Sequence, residues 1–215
     1  MLKQIRNQLM EHSPRDLAIP LPEAAVLIAL TDNSLSPDII LTRRAVRLST
    51  HSGEVAFPGG KRDPEDQDLQ MTALRETHEE IGIPENSVNV LGRIGQVISR
   101  FGVKVTPFVG LVPESVTFHV NPDELDCVFR VPLAFFLEAG HLHTDELRYK
   151  QQSFLVPAWQ YGDYYIWGLT AIMLVEFLNV GLNAGIPLDV PQQSGQRMEG
   201  AVWYKQTRGE PLINS

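Results

Sequence analysis

The sequence predicts an α/β fold, a sandwich of helices about a mixed central sheet. Three observations lead there. Strand-length apolar runs recur along the chain, whereas only two stretches read as strong helices. The first of those runs, residues 24–30 (AAVLIAL), is apolar without interruption, as in a strand covered on both faces. One of the helical stretches, residues 169–182, is apolar nearly all round and is therefore expected to be largely buried. Many strands with few helices fit layers packed on a common core.

Taken in order, residues 2–12 place Leu2, Ile5 and Leu9 at helical spacing, with Lys3, Arg6 and Glu11 elsewhere. That is a short amphipathic helix, expected to pack on the domain or on a partner subunit. Its small apolar face and mixed charges argue against a membrane. Pro14 and the IPLPEA segment make an extended link. After the first strand, Asp32-Asn33-Ser34 supplies turn chemistry, and residues 39–42 read as the next strand, ending in Arg43 and Arg44. A basic and polar stretch, residues 43–53, leads through residues 55–57 to a Pro58-Gly59-Gly60 turn and an acidic loop.

The good helix formers from Met71 to Glu76 open the second helical stretch, which Gly82 and Pro84 stop. Further strands are expected around residues 88–91, 96–99, 103–111 and 129–131, then a short helix from Pro132-Leu133. Residues 153–159 and 164–167 read as a late strand pair. Residues 186–215, rich in Gln, Gly and Pro, read as either a loose tail or a dimer arm, which leaves a homodimer open. The expected organisation is an N-terminal helix and linker (1–19), one α/β domain (20–185) and a C-terminal extension (186–215).

Composition narrows the class. A chain of 215 residues, 43% hydrophobic and 20% charged, is that of an ordinary globular protein. The net charge of −8 carries no global basic footprint for nucleic acid. No run reaches transmembrane length and no secretory leader pattern opens the chain. The single cysteine, Cys127, forbids an internal disulfide. Together these give the expectation of a cytoplasmic protein.

Chemistry concentrates on the second helix. Glu76, Glu79 and Glu80 stand at i, i+3 and i+4 and share one face, while Leu74 and Ile81 lie opposite, on the side expected to pack on the core. Like charges at i, i+4 cost roughly 0.2–0.5 kcal/mol per pair, and here they also meet the negative end of the helix dipole. Arg75 is one charge against three. A hard divalent cation resolves the conflict, because Mg²⁺ and its relatives take carboxylate oxygens; an ordinary solvated acidic face is the bland alternative. Gly59 and Gly60 permit close backbone approach to a phosphate oxygen, or simply make a tight turn.

The stretch from Gly59-Gly60 through an acidic loop to Arg75-Glu76-Thr77-His78-Glu79-Glu80-Ile81-Gly82-Ile83 resembles the Nudix box of diphosphate hydrolases. The loop is one residue longer than the usual box, Asp66 stands where the loop glutamate is expected, and Thr77 replaces an aliphatic residue. The resemblance implies the Nudix fold, an α/β/α sandwich. It also implies Mg²⁺ or Mn²⁺ held by Glu76, Glu79 and Glu80, with Glu76, Glu79 and Arg75 in catalysis. Glu124, in the loop before a strand, is where some Nudix enzymes place an extra acid; the proton acceptor stays open between Glu79 and Glu124.

Leu41-Thr42-Arg43-Arg44-Ala45 with Phe57-Pro58-Gly59-Gly60, and downstream Val105-Thr106-Pro107 and Trp167-Gly168-Leu169-Thr170-Ala171, are similar to the coenzyme A diphosphatase branch of that family. That likeness implies a coenzyme A-type nucleotide as the small-molecule partner. The products would be 3′,5′-ADP and 4′-phosphopantetheine. Arg44, Arg47, Gly59, Gly60 and Lys61 are the substrate-binding candidates, since Arg forks suit phosphate oxygens. For Arg43 and Arg47 a solvated strand edge is the rival reading. Ser49 stands where the branch usually carries an arginine. His51 and His78 are read as solvated or locally bonded, and Trp159, Tyr164 and Trp167 as core. A Nudix hydrolase of another nucleotide, such as ADP-ribose or a dinucleotide, and a non-catalytic Nudix-fold binder are the alternatives.

Overall fold

A computed structural model describes residues 1–45, 53–149, 152–188 and 202–203. Among these, three α-helices and twelve strands build two sheets. The first strand, β1 (Glu23–Thr31), is the spine of the larger sheet. It runs parallel to β7 (Lys104–Val112) along its whole length. Its other edge is shared by β4 (Gly59–Lys61) and β2 (Asp38–Arg44), both antiparallel to it. Beyond β2 lie β3 (Val55–Ala56) and β8 (Leu125–Pro132); beyond β7 lie β5 (Asn89–Arg93) and β6 (Val97–Ile98). One parallel pair among antiparallel ones makes the sheet mixed, as expected.

The uninterrupted apolar run of β1 has its explanation in two separate cores. Ala25, Leu27 and Ala29 point to the side of α2 (Leu69–Ile81), joining Ala73, Ile81 and Phe108. Ala24, Ile28 and Leu30 point to the other side, joining Leu174, Phe177 and Leu178 of α3 (Gly168–Leu182). Residues alternate across a strand, so a strand covered on both faces must be apolar at every position. The N-terminal helix α1 (Leu2–Glu11) buries Leu2, Ile5 and Leu9 in this second core, so its apolar face packs on its own domain. The layers are therefore helix, sheet, helix.

The smaller sheet is β11 (Tyr164–Ile166), β10 (Gln152–Tyr161), β9 (Leu142–Tyr149) and β12 (Val202–Trp203), in that order. The expected pair at residues 153–159 and 164–167 is there, but its long partner β9 was not foreseen. The stretch LHTDELRY has no apolar alternation, so its pairing with β10 leaves no periodic trace in the sequence. The short helix after Pro132 is a 3-10 turn, Leu133–Leu137.

Candidate active site

The acidic helix α2 is bounded by two local signals. The Asp68 carboxylate accepts the Met71 N–H at 2.8 Å, an N-cap. At the other end Gly82 adopts φ 75° and its N–H closes on the His78 carbonyl at 2.8 Å.

Between these caps the glutamates do not share one environment. Glu79 is exposed, Glu76 half-buried, and Glu80 is 3% exposed. The expectation of three acids on a face opposite the core is corrected here. Ala73, Thr77, Glu80 and Ile81 form the buried side of α2, because residues four and seven apart come into line on a helix. Glu80 enters the core side with compensation: its Oε2 accepts the Gly59 N–H at 3.0 Å, and its Oε1 is 3.7 Å from Arg44 Nη1. Burial pushes the Glu80 carboxyl up to about 7, against the pull of Gly59 and Arg44, with Glu124 and Glu76 adding to the rise.

Arg75 is the brace of the site. Its Nη1 donates to Glu76 Oε1 and Glu79 Oε2, both at 3.0 Å. Its Nε and Nη2 form a two-pronged pair with the Asp66 carboxylate at 2.9 and 3.0 Å, and Nη2 also reaches the Lys61 carbonyl. Asp66 is buried and accepts as well from the Asp63 N–H and the Thr72 hydroxyl. The Arg75 guanidinium, above all, holds the Asp66 carboxyl far below the usual carboxylate range. Asp66 thus anchors Arg75 rather than facing the site as a loop acid.

The glycine pair is required by close approach. Gly59 has φ 150°, and a Cβ there would run into the Ala25 carbonyl and Val26. A Cβ on Gly60 would collide with the Glu76 carboxylate. Burial raises the Glu76 carboxyl; Arg75 opposes that rise, and Glu79 and Glu124 add to it.

Of these groups, Gly59, Gly60 and Glu80 line a cavity of about 360 Å³, together with Arg44 and Lys61, whereas Arg75, Glu76 and Glu79 are not part of its wall. Arg43 does not reach the cavity; it pairs with Asp126 at 3.5 Å and lies over the Tyr164 ring. Glu124 is half-buried beside the start of β8, and its charge is felt by both Glu76 and Glu80. His78 is exposed. Trp159 is core, with no exposed surface. Trp167, expected as core too, is half-buried and forms part of the cavity wall. Arg47, Ser49 and His51 lie outside the described residues. Arg15, Leu17 and Gln96 also line the cavity; nothing in their spacing marked them.

The donor set suits a hard divalent cation. It is all carboxylate, and the charges of neighbouring acids add to the raised proton affinity of both Glu76 and Glu80, so the cluster is short of positive charge. Among the described residues no three acids converge as ligands, because Arg75 holds Glu76 and Glu79 while Gly59 and Arg44 hold Glu80.

An acidic helix backed by a glycine pair, within an α/β/α sandwich, defines a domain suited to phosphorylated substrates. The chain belongs to the Nudix hydrolase family: the profile of the NUDIX domain matches residues 21–147. An uncharacterized Nudix hydrolase NudL of Yersinia enterocolitica is 40% identical over 169 residues, which cover 79% of this chain and 86% of the relative. The protein of the same name from Yersinia pestis (strain Pestoides F) is 43% identical over 151 residues, 70% of this chain and 75% of that one. Among solved structures, a MutT/nudix family protein from Enterococcus faecalis superposes with a TM-score of 0.50 at 14% identity, covering 83% of this chain and 68% of the other. That likeness concerns the fold alone. No helix among the described residues is long and apolar enough to cross a membrane.

Proposed function

We propose that the chain hydrolyses the diphosphate of coenzyme A, or of its acyl or oxidised derivatives, within a domain spanning residues 20–185. One observation carries this reading. Thr42 and Arg44, Phe57 with Gly59 and Gly60, Val105, and Trp167 to Thr170 come from four separate stretches similar to the coenzyme A diphosphatase branch, and all line the one cavity beside Glu80.

The roles follow from the residues. Glu76, Glu79 and Glu80 would hold Mg²⁺ or Mn²⁺. When bound, that metal supplies charge neutralisation and lowers the pKa of a water toward neutrality. Arg75, anchored by Asp66, holds Glu76 and Glu79 in place. Gly59 and Gly60 line the cavity, and their backbone would be open to the close approach of phosphate oxygens. Arg44 and Lys61 bring positive charge to the wall of the same cavity, in an otherwise acidic protein. Glu124 is the proton acceptor in this reading, because its charge reaches Glu76 and Glu80 and Glu79 is already assigned to the metal.

The test is product analysis with Mg²⁺ or Mn²⁺ on a nucleotide panel. Formation of 3′,5′-ADP and 4′-phosphopantetheine from coenzyme A is expected. Intact coenzyme A beside cleaved ADP-ribose or dinucleoside polyphosphate would overturn the substrate and keep the hydrolase.

A further inference from the structure

The last turn of α2 is finished by a distant part of the chain. A helix leaves its final carbonyls without partners of its own, and the loop of residues 113–124, between β7 and β8, supplies partners for two of them. The His119 N–H donates to the Ile81 carbonyl and the Asn121 N–H to the Glu80 carbonyl, both at 2.9 Å. The approach is close, for a Cβ at Gly82 would run into His119. Gly82 therefore ends the helix and also admits the loop.

Asn121 then folds the chain back on itself. Its carbonyl accepts the Glu124 N–H at 3.2 Å and the Leu125 N–H at 3.0 Å, and its Oδ1 accepts the Asp123 N–H at 3.0 Å. An asparagine side chain that bonds the backbone two residues on mimics a backbone turn. Pro122, which has no N–H to place, fills the position between. Asn121 is half-buried while Pro122 and Asp123 are exposed, so the turn is held from its inner side. Past the turn, the Ala45 N–H donates to the Glu124 carbonyl at 2.9 Å. The pairing of β2 with β8 slips there: Arg43 stands opposite Cys127, and Arg44 opposite Leu125. A bulge of this kind re-aims side chains, and this one sets Arg44 beside the turn that carries Glu124. Glu124 is thus tied through its backbone to the helix that bears Glu76, Glu79 and Glu80 and to the strand that bears Arg44.

We propose that Asn121 is a positioning residue: by joining the end of α2 to the 121–125 turn, it fixes Glu124 relative to Glu80 and Arg44 for hydrolysis. The inference rests on the hydrolase reading with Glu124 as proton acceptor, and not on which nucleotide is cleaved.

The test is a double-mutant cycle of Asn121→Ala and Glu124→Gln, read on coenzyme A or, should coenzyme A stay intact, on whichever nucleotide of the panel is cleaved. Glu124→Gln alone should lower kcat at least about a hundredfold, as the loss of a general base does. Asn121→Ala should lower kcat about tenfold with KM unchanged, because a small misplacement of a reacting group is felt in the chemical step. Asn121→Ser, whose hydroxyl can accept the Asp123 N–H, should stay within about threefold of wild type. In the Glu124→Gln background Asn121→Ala should have no further effect, since the group it positions is gone. Amide hydrogen exchange in the metal-free protein adds a readout without turnover: the Glu124 and Leu125 N–H groups should exchange about tenfold faster in Asn121→Ala and at the wild-type rate in Asn121→Ser.

An Asn121→Ala variant with wild-type kcat, unchanged exchange, or a loss that simply multiplies with that of Glu124→Gln overturns the inference and leaves Glu124 as the proton acceptor. A rise in KM in place of the fall in kcat does the same. Wild-type kcat in Glu124→Gln removes the proton acceptor and the inference with it. So does a panel on which no nucleotide is cleaved, which removes the hydrolase reading as a whole.

Discussion

Glu80 and Gly59 are joined by one hydrogen bond, the Gly59 N–H to Glu80 Oε2 at 3.0 Å, across the junction of the acidic helix and the glycine turn. This bond lets a carboxylate that is 3% exposed stand at the edge of the core. It also means that any move of Glu80 toward a ligand is felt in the backbone of β4.

Glu80→Gln keeps an oxygen that can accept the Gly59 N–H and removes the buried charge. Turnover should fall at least about a hundredfold, because a metal-stabilised charge is worth several kcal/mol in the transition state. The fold should be kept, and circular dichroism with kcat measured in saturating Mg²⁺ checks both. Unchanged kcat would remove Glu80 from the site.

The same residue predicts a pH dependence of stability in metal-free protein. Burial raises the folded-state pKa from 4.5 to about 7, so the folded state holds a proton that the unfolded chain releases earlier. The stability linked to Glu80 is therefore full below pH 4.5, declines as the pH rises to about 7, and is flat above. Thermal melts from pH 4 to 8 should show this decline in the wild-type protein and not in Glu80→Gln. Added Mg²⁺ should raise the wild-type melting temperature more than that of the variant at pH 8.

Gly60→Ala separates Glu76 from the fold. The added Cβ meets the end of the Glu76 side chain rather than backbone, so the carboxylate must swing away while β4 stays paired. Activity should drop by about an order of magnitude or more with a stability cost within the roughly 1–3 kcal/mol of overpacking. A variant as active as wild type would show that the position of Glu76 is irrelevant.

Asp66→Asn leaves Arg75 with half of its anchor. Breaking a buried pair of this kind costs about 3 kcal/mol, read as a lower denaturation midpoint in urea. Asp66 ionises in the fold far below its ordinary value, so the stability it adds is present above pH 4 and is lost as the pH falls further. The acid branch of the stability profile should accordingly be shallower in the variant.

Arg44→Ala tests the nucleotide end. A 3′-phosphate contact with an arginine is worth about 1.5–3 kcal/mol, so wild type should favour coenzyme A over dephospho-coenzyme A in kcat/KM. The variant should narrow that gap, whereas Glu80→Gln should lower both substrates alike. An unchanged ratio in Arg44→Ala assigns the phosphate to another cation.

Much of this was legible in the residues. The two-faced character of β1, the stop at Gly82 and the crowding of Glu76, Glu79 and Glu80 all follow from local pattern. Depth was not legible. Helical spacing says which side chains share a face, but not that Glu80 turns to the core while Glu79 stays in water. That division is set by Gly59 and Arg44, from other strands. Asp66 was legible as an acid and not as an anchor, because the pairing with Arg75 is made by the loop doubling back on the helix. Arg15, Leu17 and Gln96 gave no signal, since residues in an extended wall carry no periodicity, whereas Trp167 stood in a stretch similar to the coenzyme A branch but was read as core.

The parallel pairing of β1 with β7 joins Glu23 to Lys104, with the acidic helix lying between them in the chain. As the polypeptide leaves the ribosome, α2 and the glycine turn emerge before β7 exists to complete the sheet beneath them. The bond between Gly59 and Glu80 closes a short loop and can form early; the cavity can close only when α3 has been made. Such long-range pairing is slow to form, so a chain halted before Gly168 would carry the acidic helix without its chamber. Hydrolytic competence is then reached only after α3 has been made.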